Sequence, residues 1–428
     1  MLENIILSRE DFINQFPPLN LLNKKDVETI WSESGIHLYI HIPYCVKKCD
    51  FCYYISTECR EGKIPEDYLD ALIEEMRIYQ KRGYLQNRVV KSIYFGGGTP
   101  SLMSSAQIKK LCDVIVEVFN ISKEYEFCCE VRPGPETTKE KILLLKEYGA
   151  NRISMGCQSL NDDVLRKNGR NHNAAYFYKV FGMLRECKVD TINVDIMSGM
   201  IGDSEEIFLD TTNKLLELSP ENITIYKMEL YLNNKLYKKV LENEYAVMSD
   251  EEEVKCVSLA YQTILDAGYC FADNYTFTKA KEFVQVQRYD NWFGEDMIGI
   301  GLSSHSYYKE HLFQNENGFE DYYKRVAQGE LPIRRAYKMS AEERMRRWMI
   351  FAIKKMDVLL DDFRILFGVD AYVVFNEELK ELERGGYISF AGNRLLTTVK
   401  GALYADDIVR IFYPERYRTI NLAHKKRN

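Results

Sequence analysis

Apolar and polar positions fall into an alternating rhythm from residue 38 onward. LYIHI (38–42) reads as a buried strand, and PEDYLDALIEEMRIYQKR (65–82) as an amphipathic helix with Pro65 and acids in its first turn. SIYF (92–95) predicts a strand, followed by a helix over 104–118 that opens at Ser104 or Ser105. EFCCEV (126–131) predicts a third strand, followed by a helix over 137–149 starting at Thr137 or Thr138. RISMG (152–156) precedes a helix over 173–188, and TINVDIM (191–197) precedes one over 204–217. NITIYKM (222–228) is the sixth strand. Short apolar strands alternating with helices of this length indicate βαβ units, a parallel sheet and right-handed crossovers. The predicted class is α/β, and six such units fit a partial (β/α)6 barrel better than a small doubly wound sheet.

The rhythm changes after residue 230. A helix is predicted over 250–267, then one extra strand in YCFADNYTF (269–277), then a Gly-rich segment, IGIGLSSHSYY. From 338 the chain reads as helix (MSAEERMRRWMIFAIKKM), and 386–397 as a hairpin turning at Gly392-Asn393. Helices followed by such a hairpin suggest a smaller, mostly helical, winged-helix-like C-terminal domain. The expected organisation is an extension over 1–35, a barrel over 36–230, a barrel extension and connecting segment over 231–337, and a C-terminal domain over 338–428.

Charge narrows the function classes. The net charge of −7 gives no support for nucleic acid or an anionic membrane as partner. Lys425-Lys426-Arg427 is too short to alter that and reads as a solvated tail. MLENIILSREDF has no cationic stretch followed by a long apolar run, and no window holds about 18 uncharged apolar residues. No signal peptide and no membrane span are expected, and the expected location is the cytoplasm. Eleven cysteines, an odd and scattered set, do not resemble a disulfide framework. Scattered cysteines, the adjacent Cys128-Cys129 among them, read as core, and clustered ones point to metal. Only Cys45, Cys49, Cys52 and Cys59 cluster.

HIPYCVKKCDFCYY gives Cys45-x3-Cys49-x2-Cys52 directly after the first strand, where the loops of such a barrel carry chemistry. Three thiolates can bind three irons of a [4Fe–4S] cube and leave the fourth open. An open iron can take S-adenosylmethionine (SAM) through its amino and carboxylate groups, and reductive cleavage then gives a 5′-deoxyadenosyl radical. Core packing and structural zinc are the alternatives. Zinc favours four ligands in paired C-x2-C spacing, which x3/x2 fits poorly even with Cys59 as the fourth. Gly96-Gly97-Gly98-Thr99-Pro100-Ser101, after the second strand, would let backbone groups approach a ligand closely, and three consecutive glycines favour that over a plain strand-to-helix turn.

Six motifs in order carry a family likeness: LYIHIPYCVKKCDFCYY, YFGGGTPSLM, EVRPGPET, ISMGCQSLNDDVLRKNGRNH, INVDIMSGM and IGIGLSSHS. From Tyr39 to the C-terminal domain the chain resembles radical SAM enzymes of the oxygen-independent coproporphyrinogen III oxidase type, the HemN-like family. The resemblance implies a [4Fe–4S] cluster on Cys45, Cys49 and Cys52. It implies that Gly97, Gly98 and Thr99 meet the methionine end of SAM and that Glu130 contacts the SAM at the cluster. Gln158, Arg170 and Asp195 match residues that contact a second SAM or nearby substrate. Tyr39 and Phe51 match positions packed near SAM, with core aromatics as the plain alternative. Met228 and His305 complete the implied cofactor-binding set, His305 through its backbone. The remaining histidines show no spaced metal pattern, and His41 reads as structural.

The chain also departs from the family. Coproporphyrinogen oxidases place a further cysteine where Tyr54 stands, and the heme-chaperone branch has an acid and a phenylalanine where this chain has Tyr53-Tyr54. This version looks like the HemN-like methyltransferases and cyclopropanases, class C, which use two SAM molecules. The expected reaction is methylation or alkylation of an sp² carbon of a small-molecule substrate, with Tyr53 or Tyr54 as candidate acid/base. The expected partner is an external reductant such as flavodoxin or ferredoxin. The alternatives are tetrapyrrole chemistry (oxidative decarboxylation or anaerobic heme opening) and a heme chaperone, although no heme axial-ligand signature is visible.

Overall fold

The computed structural model describes residues 16–18, 35–59, 63–85, 87–231, 234–242 and 244–418. Most of the expected 1–35 extension, His424 and the Lys425-Lys426-Arg427 tail lie outside the described residues. In chain order the elements are β1 (Ile36–Ile42), α1 (Glu66–Lys81), β2 (Val89–Gly97), α2 (Ser105–Val118), β3 (Asn120–Val131) and α3 (Lys139–Glu147). There follow β4 (Arg152–Gln158), α4 (Asp162–Lys167), α5 (Ala174–Glu186), β5 (Thr191–Ser198), α6 (Glu205–Leu218) and β6 (Asn222–Lys227). The predicted alternation is present, and the short helix expected before GRNH is α4. Of the two possible openings of α2 and of α3, the caps are Ser104, in a capping box with Gln107, and Thr138. Thr137 instead donates to the Arg132 carbonyl.

The C-terminal half continues with α7 (Lys235–Leu241), α8 (Asp250–Asp266), β7 (Cys270–Phe271), β8 (Thr276–Thr278) and α9 (Val286–Trp292). Then come β9 (Asp296–Ile300), β10 (His305–Tyr308), β11 (His311–Asn315), α10 (Phe319–Ala327), β12 (Ile333–Lys338) and α11 (Ala341–Lys354). YCFADNYTF is thus not one strand. The Asp273 carboxylate accepts the Tyr275 and Thr276 N–H groups and turns the chain, so β7 and β8 pair antiparallel. The Gly-rich segment forms β9, a turn and β10.

Two compact units divide the chain differently from the expected boundaries. One comprises Pro18–Asp195 and Gln285–Met339; the other comprises Met1–Pro17, Ile196–Val284 and Ser340–Asn428. Within the first unit the hydrogen-bonded order is β12-β11-β10-β9-β1-β2-β3-β4, continuing to the start of β5. β1 pairs parallel with both β2 and β9, and six of its seven residues are buried. Burial of both faces explains the largely apolar strand, in which His37 and His41 are buried as well. β10, β11 and β12 form an antiparallel meander. In the second unit β6, β8 and β7 are neighbours. There the predicted hairpin forms between β14 (Ile388–Ala391) and β15 (Arg394–Thr397), which also pairs with β13 (Asp357–Leu359). No helix among the described residues is long and apolar enough to cross a membrane.

A buried carboxylate fixes the turn after β9. Glu75, on the buried face of α1, accepts from Gly301 N–H (2.9 Å), the Asn315 amide (2.7 Å) and the Tyr322 hydroxyl (2.7 Å). Burial pushes its carboxyl up to about 7, and these three donors oppose that shift. Tyr68 joins the same region by donating to the His41 carbonyl and accepting from Leu302 N–H. Glu75→Ala leaves three buried donors without an acceptor and opens a cavity. The expected loss is about 2–4 kcal/mol of unfolding free energy, read by urea denaturation, with Glu75→Gln losing less.

Candidate active site

The cysteine loop begins where β1 ends. A two-residue parallel ladder joins Tyr44 and Cys45 to Thr57 and Glu58. Thr57 N–H donates to Pro43, Cys59 N–H to Cys45, and Cys52 N–H to Cys49. The Lys48 N–H donates to Glu58. The loop is therefore shaped by its own backbone. Cys45, Cys49 and Cys52 are free and half-buried, and Cys59 is buried.

Their spacing separates the metal readings. Around tetrahedral zinc, with Zn–S of about 2.3 Å, sulfurs lie roughly 3.8 Å apart. Among the described residues the one group of three or more ligand atoms within 4.8 Å of one another is His37, Asp290 and Glu295; the cysteines do not form such a group. At that other group Lys91 already lies 2.6 Å from Glu295 and supplies a cation. The cysteines spread wider than one ion requires, as a multi-iron cube does. Burial first, and then the charge of Cys49, pushes the Cys52 thiol up to about 11, and burial likewise raises Cys45. Positive charge between the sulfurs offsets both causes, so the donor set fits a [4Fe–4S] cluster.

The glycine loop lies against this loop. Gly98 N–H donates to the Ile42 carbonyl at 2.7 Å, and a Cβ at Gly98 would meet the Tyr44 carbonyl at 2.5 Å. Gly97 has φ +110°, and its Cβ would meet the His41 ring at 2.7 Å. These glycines are thus already required by close packing within the chain. Thr99 is buried, and its side chain hydrogen-bonds Cys45. Glu130, near the end of β3, accepts from the Tyr94 hydroxyl (2.8 Å) and Gly97 N–H (3.0 Å). Burial pushes its carboxyl up to about 7; Asp195 adds to the rise, while the two donors oppose it.

On β4 and β5 a second polar group forms. The Asp195 carboxylate accepts from Ser154 Oγ (3.2 Å) and the Asn193 amide (2.8 Å), and the Asn193 amide also donates to Ser154. The half-buried Asp195 carboxylate is thus hydrogen-bonded by a hydroxyl and an amide. Gln158 ends β4 at φ 70°, a left-handed conformation uncommon for a residue with a side chain, and its buried Oε1 has no hydrogen-bond partner. Arg170, just beyond α4, donates to Cys49 Sγ at 3.2 Å and to the Gly156 carbonyl at 2.5 Å. Sequence placed it with Gln158 and Asp195; the structure sets its guanidinium on the cysteine loop.

The aromatic candidates divide. The Tyr39 hydroxyl hydrogen-bonds His41 Nδ1 at 3.0 Å, and its ring stacks on Tyr94. Burial lowers His41 to about 4, and its Nε2 has no hydrogen-bond partner. His305 is lowered to about 3 by burial and the charges of His41 and Arg335, and its buried Nε2 is likewise without a partner. Tyr53 and Tyr54 stack with centroids 4.3 Å apart, and the Tyr53 hydroxyl donates to that of Tyr54 at 3.0 Å. Tyr54 is 46% exposed, as a group meeting an incoming molecule must be. Phe51 is half-buried in the cysteine loop. Met228 belongs to the other unit, where it is buried and its N–H donates to Ser198.

Sequence reasoning missed Tyr94, Ser154, Asn193 and the buried, unpartnered Nε2 of His41. Strand alternation held the signal. The register pairs Tyr39 with Tyr94, His41 with Gly96, and Glu130 with Ser154, so these residues share sheet positions. Polar or glycine residues at every second position near the ends of β1 to β5 mark one face.

Comparison with known proteins identifies the chain's relatives. The family model of the radical SAM superfamily matches residues 39–215. The heme chaperone HemW of Bacillus subtilis is 27% identical, over 88% of this chain and 99% of that protein. The oxygen-independent coproporphyrinogen III oxidase of a Synechocystis species is 25% identical, over 93% and 91%. HemW of Haemophilus influenzae is 30% identical, over 63% of this chain and 70% of that protein. The structure of coproporphyrinogen III oxidase HemN from Escherichia coli superposes with a TM-score of 0.80 at 22% identity, covering 94% of this chain and 96% of that one, which shows the shared α/β fold. On these matches the chain belongs to the HemN-like family of the radical SAM superfamily.

Proposed function

We propose that this chain binds SAM beside a [4Fe–4S] cluster held by Cys45, Cys49 and Cys52 and directs radical chemistry at a tetrapyrrole side chain. The observation that carries it is the joining of three loops. The cysteine loop and Gly96-Gly97-Gly98 are tied at Ile42, and the same glycines are tied to the Glu130 carboxylate. When bound, the cluster supplies the electron that cleaves SAM to methionine and the 5′-deoxyadenosyl radical. The backbone of Gly97 and Gly98 with Thr99 shapes the seat for the methionine end, and Glu130 in its ionised form holds the amino group. Tyr39 and Phe51 wall the seat, and His305 borders it through its backbone. Gln158, Arg170 and Asp195 serve a second SAM or the substrate. The relatives named for coproporphyrinogen III favour a tetrapyrrole, and an external reductant must supply the electron.

One observation favours a second reading. The stacked hydroxyls of Tyr53 and Tyr54 offer a proton donor and acceptor at the exposed rim of the loop. That suits methylation or alkylation of an sp² carbon with a second SAM, the tyrosines resolving the adduct.

Anaerobic reconstitution is expected to give about four irons per chain, and addition of SAM with dithionite to give 5′-deoxyadenosine. Cys45→Ser, Cys49→Ser or Cys52→Ser each abolishes both, whereas Cys59→Ser leaves them intact. Coproporphyrinogen turnover with release of carbon dioxide supports the first reading. S-adenosylhomocysteine formed together with an alkylated substrate supports the second. Iron-free wild-type protein, or heme uptake without any SAM cleavage, refutes both.

Glu130 yields a pH dependence. Its folded carboxyl titrates near 7, above the usual 4.5. The stabilisation is fully present below 4.5 and is lost as pH rises through 7. Between pH 5 and 7.5 wild-type protein is expected to lose about 1–3 kcal/mol that Glu130→Gln retains. Urea unfolding across that range measures the difference, and parallel curves for the two proteins contradict it.

A further inference from the structure

We propose that the Asn168-Gly169-Arg170 turn clamps the cysteine loop and that Arg170, through an N–H···S hydrogen bond to Cys49, raises the reduction potential of the cluster. This rests on the cluster reading above and goes beyond it, because it assigns Arg170 a task that needs no SAM. The clamp has three points of contact. The Asp50 N–H donates to the Asn168 carbonyl at 3.2 Å, and Asn168 is fully buried, its amide donating to Val164. Gly169 has φ +74°, and a Cβ there would meet the Asp50 carboxyl at 2.7 Å, so the two segments touch backbone to backbone. Arg170 then places Nη1 at 3.2 Å from Cys49 Sγ while Nη2 is held by the Gly156 carbonyl at 2.5 Å. The Arg170 backbone is itself fixed by its N–H bond to Leu165.

The planar guanidinium explains the choice of residue. One edge is anchored on a carbonyl while the other reaches the sulfur, a division that a lysine ammonium on a flexible stem does not reproduce. The group is permanently charged and half-buried, so solvent screens it only in part. When the cube takes one electron from an external low-potential donor, its net charge becomes more negative. A cation hydrogen-bonded to a ligand sulfur stabilises that reduced form more than the oxidised one, and the potential rises. Arg170 is a positioning and tuning residue in this account: it acts through Cys49, not on the reacting carbon.

The test is an anaerobic potentiometric titration, followed by electron paramagnetic resonance, of reconstituted full-length protein without SAM. In Arg170→Met the ratio of reduced to oxidised cluster at a fixed potential is expected to fall about tenfold, equivalent to about 59 mV for one electron. Arg170→Lys, which keeps the charge without the fork, is expected to fall less. Gly169→Ala is expected to bind less iron while its circular dichroism stays that of wild type. Unchanged potentials in both Arg170 variants overturn the proposal. So does loss of the cluster from both as folded chains, since that reduces the residue to a holding role. Wild-type protein that takes up no iron refutes the cluster reading itself, and this inference with it.

Discussion

The hydrogen bond from Gly98 N–H to the Ile42 carbonyl is the contact on which the rest of the site depends. β1 and β2 run parallel and in register to their ends, so the two loops that leave them emerge side by side. One loop carries the cysteines, and the other turns back through glycines that no side chain could replace without meeting Tyr44 or His41. Glu130 adds the third strand by accepting from the same glycine loop. A site assembled from three strand ends inherits the precision of the sheet rather than the freedom of its loops.

Much of this was legible because it is local. The six strands, their helices and the hairpin around Gly392 follow from periodicity and turn chemistry, whereas the choice between Ser104 and Ser105, and between Thr137 and Thr138, as caps came only with the structure. The meander of β10 to β12 did not, because HSYY, HLFQN and IRRAYK mix polar and apolar residues without a clean period. Two of its polar side chains find partners elsewhere along the chain: Gln314 accepts from Arg335, and Asn315 donates to Glu75. The strand over 269–277 was misread because Asp273 bends it from within, an interaction three residues long that an apolar run conceals. At the site, residue types and spacing singled out Cys45, Cys49, Cys52 and Gly97 as candidates, and the family likeness singled out Glu130. The neighbours that hold them, Tyr94, Ser154 and Asn193, come from other strands and became visible only with the register.

Electrostatics gives the site its character. Burial lowers His41 and His305, so both imidazoles are neutral near pH 7, while Glu130, lifted to about 7, sits at its midpoint there, in a region that also holds Arg170 and Asp195. Unpartnered buried nitrogens on both histidines and the oxygen of Gln158 are polar atoms left facing inward. A folded chain tolerates such atoms where a ligand supplies what the protein withholds.

The cysteine loop has a consequence of its own. Its ladder to Thr57 and Glu58 and its internal backbone bonds run from main chain to main chain. A loop held in this way spends no sulfur on its own architecture, so exchanging one thiol removes a donor and leaves the path of the chain in place.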